Sequence, residues 1–201
     1  CDISTGQVYD NLGINDDGTV GDPDKVALSY NQGTFMASAL ELYNATGVED
    51  YLRNAVSFAS YQVNHKMDSN YPVFSGEGGS GDNLLFRGIF VRYFLDLLKQ
   101  PTGEAYPEKT KNKFIAALRG CSDVLWVNGH PEGWYVWEYD WTKAPEFGNR
   151  NDNENRLTIS LNAEVPGATL IEIRARYEDW VQGKETEKAN WIGPDFATGA
   201  E

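Results

Sequence analysis

Two amide side chains, Asn31 and Gln32, stand at the beginning of a predicted helix. They lie where a polar, loop-rich segment ends and apolar residues begin to recur at helical spacing. Amides donate and accept hydrogen bonds without carrying charge, which suits the hydroxyl groups of a sugar. The simpler alternative is a helix cap, in which Ser29 or Asn31 satisfies the free backbone N–H groups of the first turn.

The composition limits the partners that this chain can have. The 201 residues include 30 acidic and 17 basic ones, which gives a net charge of −13. Nucleic acids and anionic membranes bind to basic patches, so the charge argues against both, whereas a neutral glycan is compatible with it. Two cysteines, Cys1 and Cys121, provide no disulfide framework and no zinc site. The sequence has no run of about 18 apolar residues, so no membrane span is predicted.

Five stretches of the chain have the periodicity of helices. Gly47 ends the first, and the second follows so closely that the two are predicted to form an antiparallel hairpin. The third is apolar on nearly every side, which is typical of a buried helix, although Arg87 and Arg92 interrupt it and require partners. Asp96, four residues after Arg92, is the expected partner of that arginine. The predicted helices span residues 30–46, 49–66, 83–99, 108–127 and 163–180.

The segments outside these helices are predicted to be irregular. Residues 1–28 are expected to be mostly loop, with turn residues at Asn15–Gly18 that do not meet the spacing of an EF-hand calcium site. The polar run from Asn149 to Arg156 is expected to be mobile, and the residues after Gln182 are expected to form surface coil. Pro166 is tolerated in the last helix because it falls in the predicted first turn.

The alternation of helix types predicts the architecture. The first, third and fifth helices are the more apolar ones, and the second and fourth are apolar on one face. This alternation is typical of a double-layered ring of inner and outer helices, so the fold class is all-α. Antiparallel hairpins make successive inner helices parallel, which places the beginnings of all three at one end of the ring. Polar groups gathered there make a plausible site, and they belong to Tyr30–Gln32, Asp82–Arg87 and Asn162–Glu164.

Two motifs occur in order at the beginnings of the first and third helices. They are Ser29-Tyr30-Asn31-Gln32-Gly33-Thr34-Phe35 and Phe86-Arg87-Gly88-Ile89-Phe90-Val91-Arg92-Tyr93, and Thr5-Gly6-Gln7-Val8-Tyr9-Asp10 precedes both. Together they resemble glycoside hydrolase family 76, whose members are bacterial endo-α-1,6-mannanases and related fungal cell-wall transglycosylases. The resemblance covers most of residues 1–100 and implies an (α/α)6 barrel, a six-hairpin toroid of about twelve helices.

The resemblance implies that this chain is the C-terminal portion of one such domain. It provides a partial (α/α)6 barrel, with about five of twelve helices, and the family's pair of catalytic aspartates belongs to the N-terminal half, which the chain lacks. The adjacent Asp16 and Asp17 sit in a predicted turn rather than in the family's tryptophan-rich helical setting, so they do not take that role. Arg87 stands where family members usually have lysine, which keeps the charge but changes its geometry.

The function that the resemblance implies is retaining hydrolysis of α-1,6-linked mannan, with this segment supplying substrate-binding residues. Its partners would be an α-mannan oligosaccharide or polysaccharide and the N-terminal half of the same domain. Each tryptophan among the candidates is equally well explained as an anchor of its loop, and a structural ion pair is the simpler expectation for Arg87. The candidates for hydrogen bonds are Asn31, Gln32 and Asp82, those for stacking are Tyr30, Phe86 and one of Trp134, Trp137 and Trp141, and Arg87 completes the set.

Two other functions are open on the sequence. One is a cell-wall transglycosylase of the same family, and the other is a catalytically silent carbohydrate-binding helical module. The resemblance implies no cofactor and no metal, and it implies an extracytoplasmic location in a bacterium, whether periplasmic, at the cell surface or secreted. Without the catalytic aspartates the isolated segment is expected to be inactive. Since an open ring exposes apolar helix faces, it is also expected to self-associate.

Overall fold

The computed structural model describes residues 1–78, 81–145 and 160–184 with their side chains, and residues 147–149 and 155–157 as backbone. Within them the chain is mostly helical. The elements in order are β1 (Asn11–Ile14), β2 (Val20–Asp24), α1 (Ser29–Thr46), α2 (Glu49–His65), a short 3₁₀ helix (Gly81–Leu85), α3 (Phe86–Lys99), α4 (Glu108–Asn128), β3 (Phe147–Asn149), β4 (Asn155–Leu157) and α5 (Leu161–Val181).

The five predicted helices are confirmed, with one boundary that differs by three residues. α3 begins at Phe86 rather than at Asn83, because Gly81–Leu85 form the tighter 3₁₀ helix before it. Gly47 closes α1 in the left-handed conformation, with φ of 71°, and its N–H donates to the carbonyl of Tyr43. The all-α class is therefore confirmed, and the strands of the described part form only two small antiparallel pairs.

The first of these pairs lies in the region predicted to be mostly loop. β1 and β2 pair through an irregular register, and the turn between them is closed by the Gly18 N–H, which donates to the carbonyl of Asn15. Asp17 in this turn accepts hydrogen bonds from the N–H and hydroxyl of Thr19. The turn predicted at Asn15–Gly18 is therefore confirmed, with Asp17 as its hydrogen-bonding aspartate, and the loop expectation is wrong only for the residues of β1 and β2.

The second pair, β3 with β4, takes up both ends of the run from Asn149 to Arg156, which was expected to be mobile. The residues between the two strands, and the tail from residue 185 onwards, lie outside the described part of the chain.

The helices form two layers. α1 packs on α3 and α3 packs on α5, so these three make the inner row, while α2 and α4 cover it from outside. The inner helices approach closely at glycines: a Cβ on Gly33 would lie 2.7 Å from the Cα of Phe90. A Cβ on Gly88 would likewise lie 3.0 Å from the Cα of Pro166. Both glycines belong to the motifs quoted above, and they permit the inner row to close up.

The core is aromatic at its centre. Phe90 and Phe94 on α3 lie with ring centroids 5.0 Å apart, and Phe94 contacts Phe114 of α4 at 5.4 Å. Phe74, from the segment before α3, packs edge-on to Phe90 at 5.3 Å. All four rings are at most 1% exposed, so α3 is buried on nearly every side, as its composition predicted.

Two local expectations about the helices do not hold. α5 begins at Leu161, so Pro166 lies in its second turn and removes one helical hydrogen bond. Pro166 packs against Gly88 of α3. Arg92 is exposed, and it forms no ion pair with Asp96 among the described residues. An exposed guanidinium is solvated and needs no protein partner.

The two cysteines are unpaired. Cys1 is exposed and Cys121 is buried in α4, where burial raises the pKa of its thiol to about 12. None of the described helices is long and apolar enough to cross a membrane.

Candidate functional site

The beginnings of the three inner helices meet at one end of the molecule. The ring of Tyr30, in the first turn of α1, lies 4.4 Å from the ring of Phe86 at the beginning of α3. At the beginning of α5, the Asn162 side chain donates to the carbonyl of Gly81 over 3.4 Å. Tyr30 and Phe86 thus form a half-buried aromatic wall at the end where polar groups were predicted to gather.

Asp10 holds the polar groups beside this wall. Its Oδ1 accepts a hydrogen bond from the Tyr30 hydroxyl at 2.9 Å and another from the Asn31 Nδ2 at 3.0 Å. These bonds, that of Tyr30 above all, lower the pKa of Asp10 although partial burial opposes them, so Asp10 is a carboxylate at neutral pH. Burial and the neighbouring carboxylate of Asp10 raise the pKa of Tyr30, so its hydroxyl keeps its proton.

Gln32 points away from the wall, and its surroundings do not fit the predicted contact with a sugar. Its Nε2 donates to the carbonyls of Gly6 at 2.8 Å and Phe58 at 2.9 Å, while its Oε1 accepts from the Val8 N–H. The side chain is completely buried, so no part of its amide is left for a ligand. Gln32 instead ties the N-terminal turn to α1 and α2.

Gly6 makes that attachment sterically possible. It has φ of 76°, and a Cβ at this position would lie 2.2 Å from the carbonyl oxygen of Ser57 on α2. The turn that contains Gly6 therefore lies directly on α2, and Asp10 follows it at the mouth of α1.

The first turn of α1 is capped by a residue outside the helix. The alternative predicted from the sequence was a cap by Ser29 or Asn31, and neither residue has this role. Leu28 occupies the N-cap position without a side-chain bond, and Glu77 accepts hydrogen bonds from both the N–H and the hydroxyl of Ser29. Burial raises the pKa of Glu77 above its ordinary value despite these bonds. Glu77 thereby fixes the segment before α3 onto the beginning of α1.

Asp82 is the most accessible of the predicted hydrogen-bonding residues. It lies in the first turn of the 3₁₀ helix and is exposed, and among the described residues it contacts neither Arg87 nor Arg92. A carboxylate without protein partners has all of its acceptor positions open to a ligand. Its predicted role in binding substrate stays a prediction.

Arg87 is buried, so it does not belong to the surface beside the aromatic wall. Nη1 donates to the carbonyl of Phe74 at 3.0 Å and Nη2 donates to that of Tyr139. The guanidinium lies over the ring of Trp141, 4.0 Å from its centroid. Burial lowers the pKa of Arg87 to about 10, which leaves it charged at neutral pH. In the described part of the chain it has no ion pair, so the expected salt bridge is replaced by carbonyls and an aromatic face.

The three tryptophans of the loop before α5 have different environments. Trp137 and Trp141 are 6% and 1% exposed, so both anchor the loop, whereas Trp134 is 56% exposed. The backbone N–H of Trp137 also donates to the Glu164 carboxylate at the beginning of α5, over 2.6 Å. Of the three, Trp134 alone presents a free ring face.

This end of the molecule gathers carboxylates at the positive ends of helices. The described residues contain no group of three side chains suited to hold a metal ion. Two of the carboxylates were not foreseen: Asp10, which stands in a quoted motif, and Glu77, whose glycine-rich loop gave no signal. With the aromatic wall beside them, these acceptors suit a neutral, hydroxyl-rich ligand better than an anion. The four carboxylates are those of Asp10, Glu77, Asp82 and Glu164.

The architecture and this end of the inner row define the class of the protein. Two layers of antiparallel helical hairpins, with the inner helices beginning at one end, are the arrangement of (α/α) barrel glycoside hydrolases. The model of Glycosyl hydrolase family 76 matches residues 1–168, and the chain belongs to this family.

Solved structures of similar proteins support the same family membership. The GH76A α-1,6-mannanase from Salegentibacter sp. HEL1_6 is 29% identical with a TM-score of 0.72, over 88% of this chain and 47% of that one. An inactive variant of that enzyme, with two aspartates replaced by alanine, was solved with α-1,6-mannotetrose and is 28% identical with a TM-score of 0.73. The Lin0763 protein from Listeria innocua is 29% identical with a TM-score of 0.66, over 87% of this chain and 44% of that one.

The chain therefore spans about half the length of the structures that it matches. Among curated proteins, no match was found.

Proposed function

We propose that the chain is part of a glycoside hydrolase that acts on α-1,6-linked mannan. The observation that supports this most directly is the similarity, at 29% identity over 88% of the chain, to an enzyme described as an α-1,6-mannanase. The acidic, aromatic end of the inner helices supports it independently, because it offers hydrogen-bond acceptors and a ring surface without a basic patch.

The chemistry that we propose is retaining. One carboxylate attacks the anomeric carbon while a second protonates the leaving oxygen, and water then hydrolyses the glycosyl-enzyme intermediate. We place this pair of aspartates in a part of the enzyme outside the present chain, since Asp16 and Asp17 lie in the turn between β1 and β2, where Asp17 accepts a hydrogen bond from the Thr19 N–H. The isolated segment is then expected to be inactive.

The role of the present chain is to bind and orient mannose units. Asp82 is exposed and free to accept hydrogen bonds from sugar hydroxyls. Asn31 is largely buried, and its side-chain amide donates to Asp10, so it acts by holding that carboxylate in place. Tyr30 and Phe86 supply the ring surface. Gln32 and Arg87 were predicted to bind substrate with these residues. Their buried side chains instead donate hydrogen bonds to backbone carbonyls of other segments.

The test is an assay of the full-length enzyme that contains this chain, on unbranched α-1,6-mannan. Release of short α-1,6-mannooligosaccharides, with the α-anomer detected first by NMR, supports the proposal and its retaining course. Transfer of mannosyl units to an added acceptor, in place of hydrolysis, would instead identify the transglycosylase. Binding without turnover would identify a silent carbohydrate-binding module.

We also propose a periplasmic, cell-surface or secreted location in a bacterium, because an external mannan polymer is too large to cross a cell membrane intact. Fractionation of the source cells with an antibody against the chain tests this. Recovery in the cytoplasmic fraction alone would contradict it.

A further inference from the structure

A cleft lies beside the aromatic wall, on the other side of the beginning of α3. It has a volume of about 500 Å³, which is in the range of small-ligand pockets. The segment from Asp68 to Gly76 forms one side and the segment from Glu138 to Lys143 forms the other, with Arg87 and Trp141 also lining it.

This cleft is separate from the wall formed by Tyr30 and Phe86. Between the two run residues 75–78, which Glu77 fastens to the beginning of α1 and the Tyr139 hydroxyl fastens from the other side, through the N–H of Gly78. Phe86 and Arg87 are consecutive in α3, and the helical rotation between them sends Phe86 to the wall and Arg87 to the cleft.

Two residues that line the cleft each carry a buried donor atom that has no partner among the described residues. Arg87 is 3% exposed and its Nε–H finds no acceptor, although both of its Nη groups are engaged by carbonyls. Trp141 is 1% exposed and its Nε1–H is likewise unpaired. Unpaired buried donors are costly, so a ligand that enters the cleft deeply enough to bring an acceptor to one of them would be favoured.

The remaining lining groups are mostly acceptors. Glu138 is half-buried and has no hydrogen-bond or ion-pair partner in the described part of the chain, which leaves its carboxylate open to the cleft. Asp68 and Asp140 also line it, each with one oxygen occupied by neighbouring N–H groups. Lys143 approaches Asp140 at 3.8 Å and offsets part of the negative charge.

These groups select the chemistry of the ligand. The carboxylates of the cleft repel an anion, and the buried charge of Arg87 repels a cation. The unpaired donors would be satisfied by a ligand that carries a hydrogen-bond acceptor. A hydroxyl satisfies both sides, because its oxygen accepts from a donor while its O–H donates to a carboxylate. We propose that this cleft is a second sugar-binding site, which takes a neutral hexose unit such as a mannose carried as a branch on the polysaccharide. The choice of mannose rests on the proposed function, whereas the choice of a neutral hexose rests on the cleft alone.

The experiment uses the full-length enzyme labelled with ¹⁵N, and it follows the indole N–H signal of Trp141, assigned with Trp141→Phe. Titration with D-mannose is expected to shift this signal, and D-mannose 6-phosphate is expected to bind at least tenfold more weakly. Glu138→Ala should weaken mannose binding at least tenfold and leave kcat/KM on α-1,6-mannotriose within twofold. Glu132→Ala, an exposed glutamate of the same loop that does not line the cleft, is the matched control.

A second variant, Ser75→Trp, fills the cleft and should abolish the shift; if it does not fold, Glu138→Ala decides alone. No response of Trp141 to mannose, an unchanged affinity in Glu138→Ala, or tighter binding of the phosphate would overturn the proposal. If the enzyme does not hydrolyse mannan but Trp141 still responds to mannose, the proposed function is overturned and this site stands. If the enzyme hydrolyses mannan but Trp141 does not respond, this site is overturned and the proposed function stands.

Discussion

At the beginning of α1, three consecutive side chains have three different tasks. Tyr30 lies against Phe86, Asn31 donates to Asp10, and Gln32 is buried under the N-terminal turn. Successive helical residues point about 100° apart, so a short polar run at a helix mouth divides between surface and interior. This division means that substitutions at neighbouring positions should affect activity and stability separately.

Asp82→Ala should test the surface role. In the full-length enzyme we expect activity on α-1,6-mannan to fall at least tenfold, about 1.4 kcal/mol of transition-state stabilisation, because an exposed acceptor is lost. The melting temperature should hardly change, since Asp82 has no partner in the described structure. Asp16→Ala, an exposed aspartate of the hairpin turn, is the control for both kcat/KM and thermal melts. Unfolding of Asp82→Ala would show that the residue is structural.

Asp10→Asn should change how stability depends on pH. The pKa of Asp10 is lowered from its ordinary value of 3.8, so its charge stabilises the fold above about pH 4. This contribution disappears as the pH falls below 3.8 and through the lowered pKa. Melting curves from pH 7 to pH 2.5 should therefore drop more steeply for the wild type than for Asp10→Asn. Parallel curves would mean that the bonds from Tyr30 and Asn31 add nothing to stability.

Glu77 is expected to show the opposite pH dependence. Its pKa is raised above 4.5, so its contribution is greatest below that pH and declines as the pH rises through the raised value. Glu77→Gln keeps an acceptor for the Ser29 N–H without the buried charge, so relative to the wild type it should be more stable at pH 7 than at pH 4. Glu77→Ala removes the cap of α1 and should lower the free energy of unfolding by about 1 kcal/mol. Chemical denaturation at both pH values measures these differences.

At the scale of the elements, glycines determine how closely the inner helices pack. Gly33 meets the backbone of α3 at Phe90, and Gly88 meets the backbone of α5 at Pro166. Backbone atoms cannot move away by a change of rotamer as the end of a side chain can. An added methyl group must therefore separate the helices. Such a separation would also move Tyr30 relative to Phe86.

Gly33→Ala should therefore lower the free energy of unfolding by about 1–3 kcal/mol, as overpacking of a close contact does. Gly103→Ala is the matched control, because a Cβ there would meet nothing within 4 Å, and its effect should stay within about 0.5 kcal/mol. Urea denaturation monitored by tryptophan fluorescence and by circular dichroism compares the two. Equal stability of the two variants would show that the inner row relaxes without cost.

For the whole molecule, one apolar stripe of α1 is left uncovered. Phe35 and Leu42 are 43% and 46% exposed and lie two turns apart on the same face of an inner helix. Buried apolar surface contributes about 25 cal/mol per Å², so such a stripe favours association. We expect the 201-residue chain on its own to self-associate in analytical ultracentrifugation. Leu42→Lys should shift it towards monomer, whereas Val20→Lys, an exposed apolar residue of the hairpin, should not. A monomeric wild type would contradict this expectation.

Much of the architecture follows from periodicity alone. The helices were predictable because apolar spacing and Gly47 are local signals, and their antiparallel order follows from the short link between α1 and α2. The contact of Tyr30 with Phe86 follows in turn, since hairpins return the inner helices to the same end. Two helix boundaries differ from the prediction by a few residues. α3 begins later because a 3₁₀ helix precedes it, and α5 begins earlier, which moves Pro166 into its second turn.

Tertiary structure decided which of the predicted site residues are free to bind a ligand and which support the fold. Gln32 and Arg87 have the chemistry of ligand-binding groups, and only the carbonyls brought to them by distant segments make them braces. The partner of Ser29 lies 48 residues along the chain, in a loop without periodicity. Sequence therefore determined the helices and the end at which the polar groups gather. Folding determined which of those groups remain free, because hydrogen-bond satisfaction depends on neighbours that spacing along the chain does not encode.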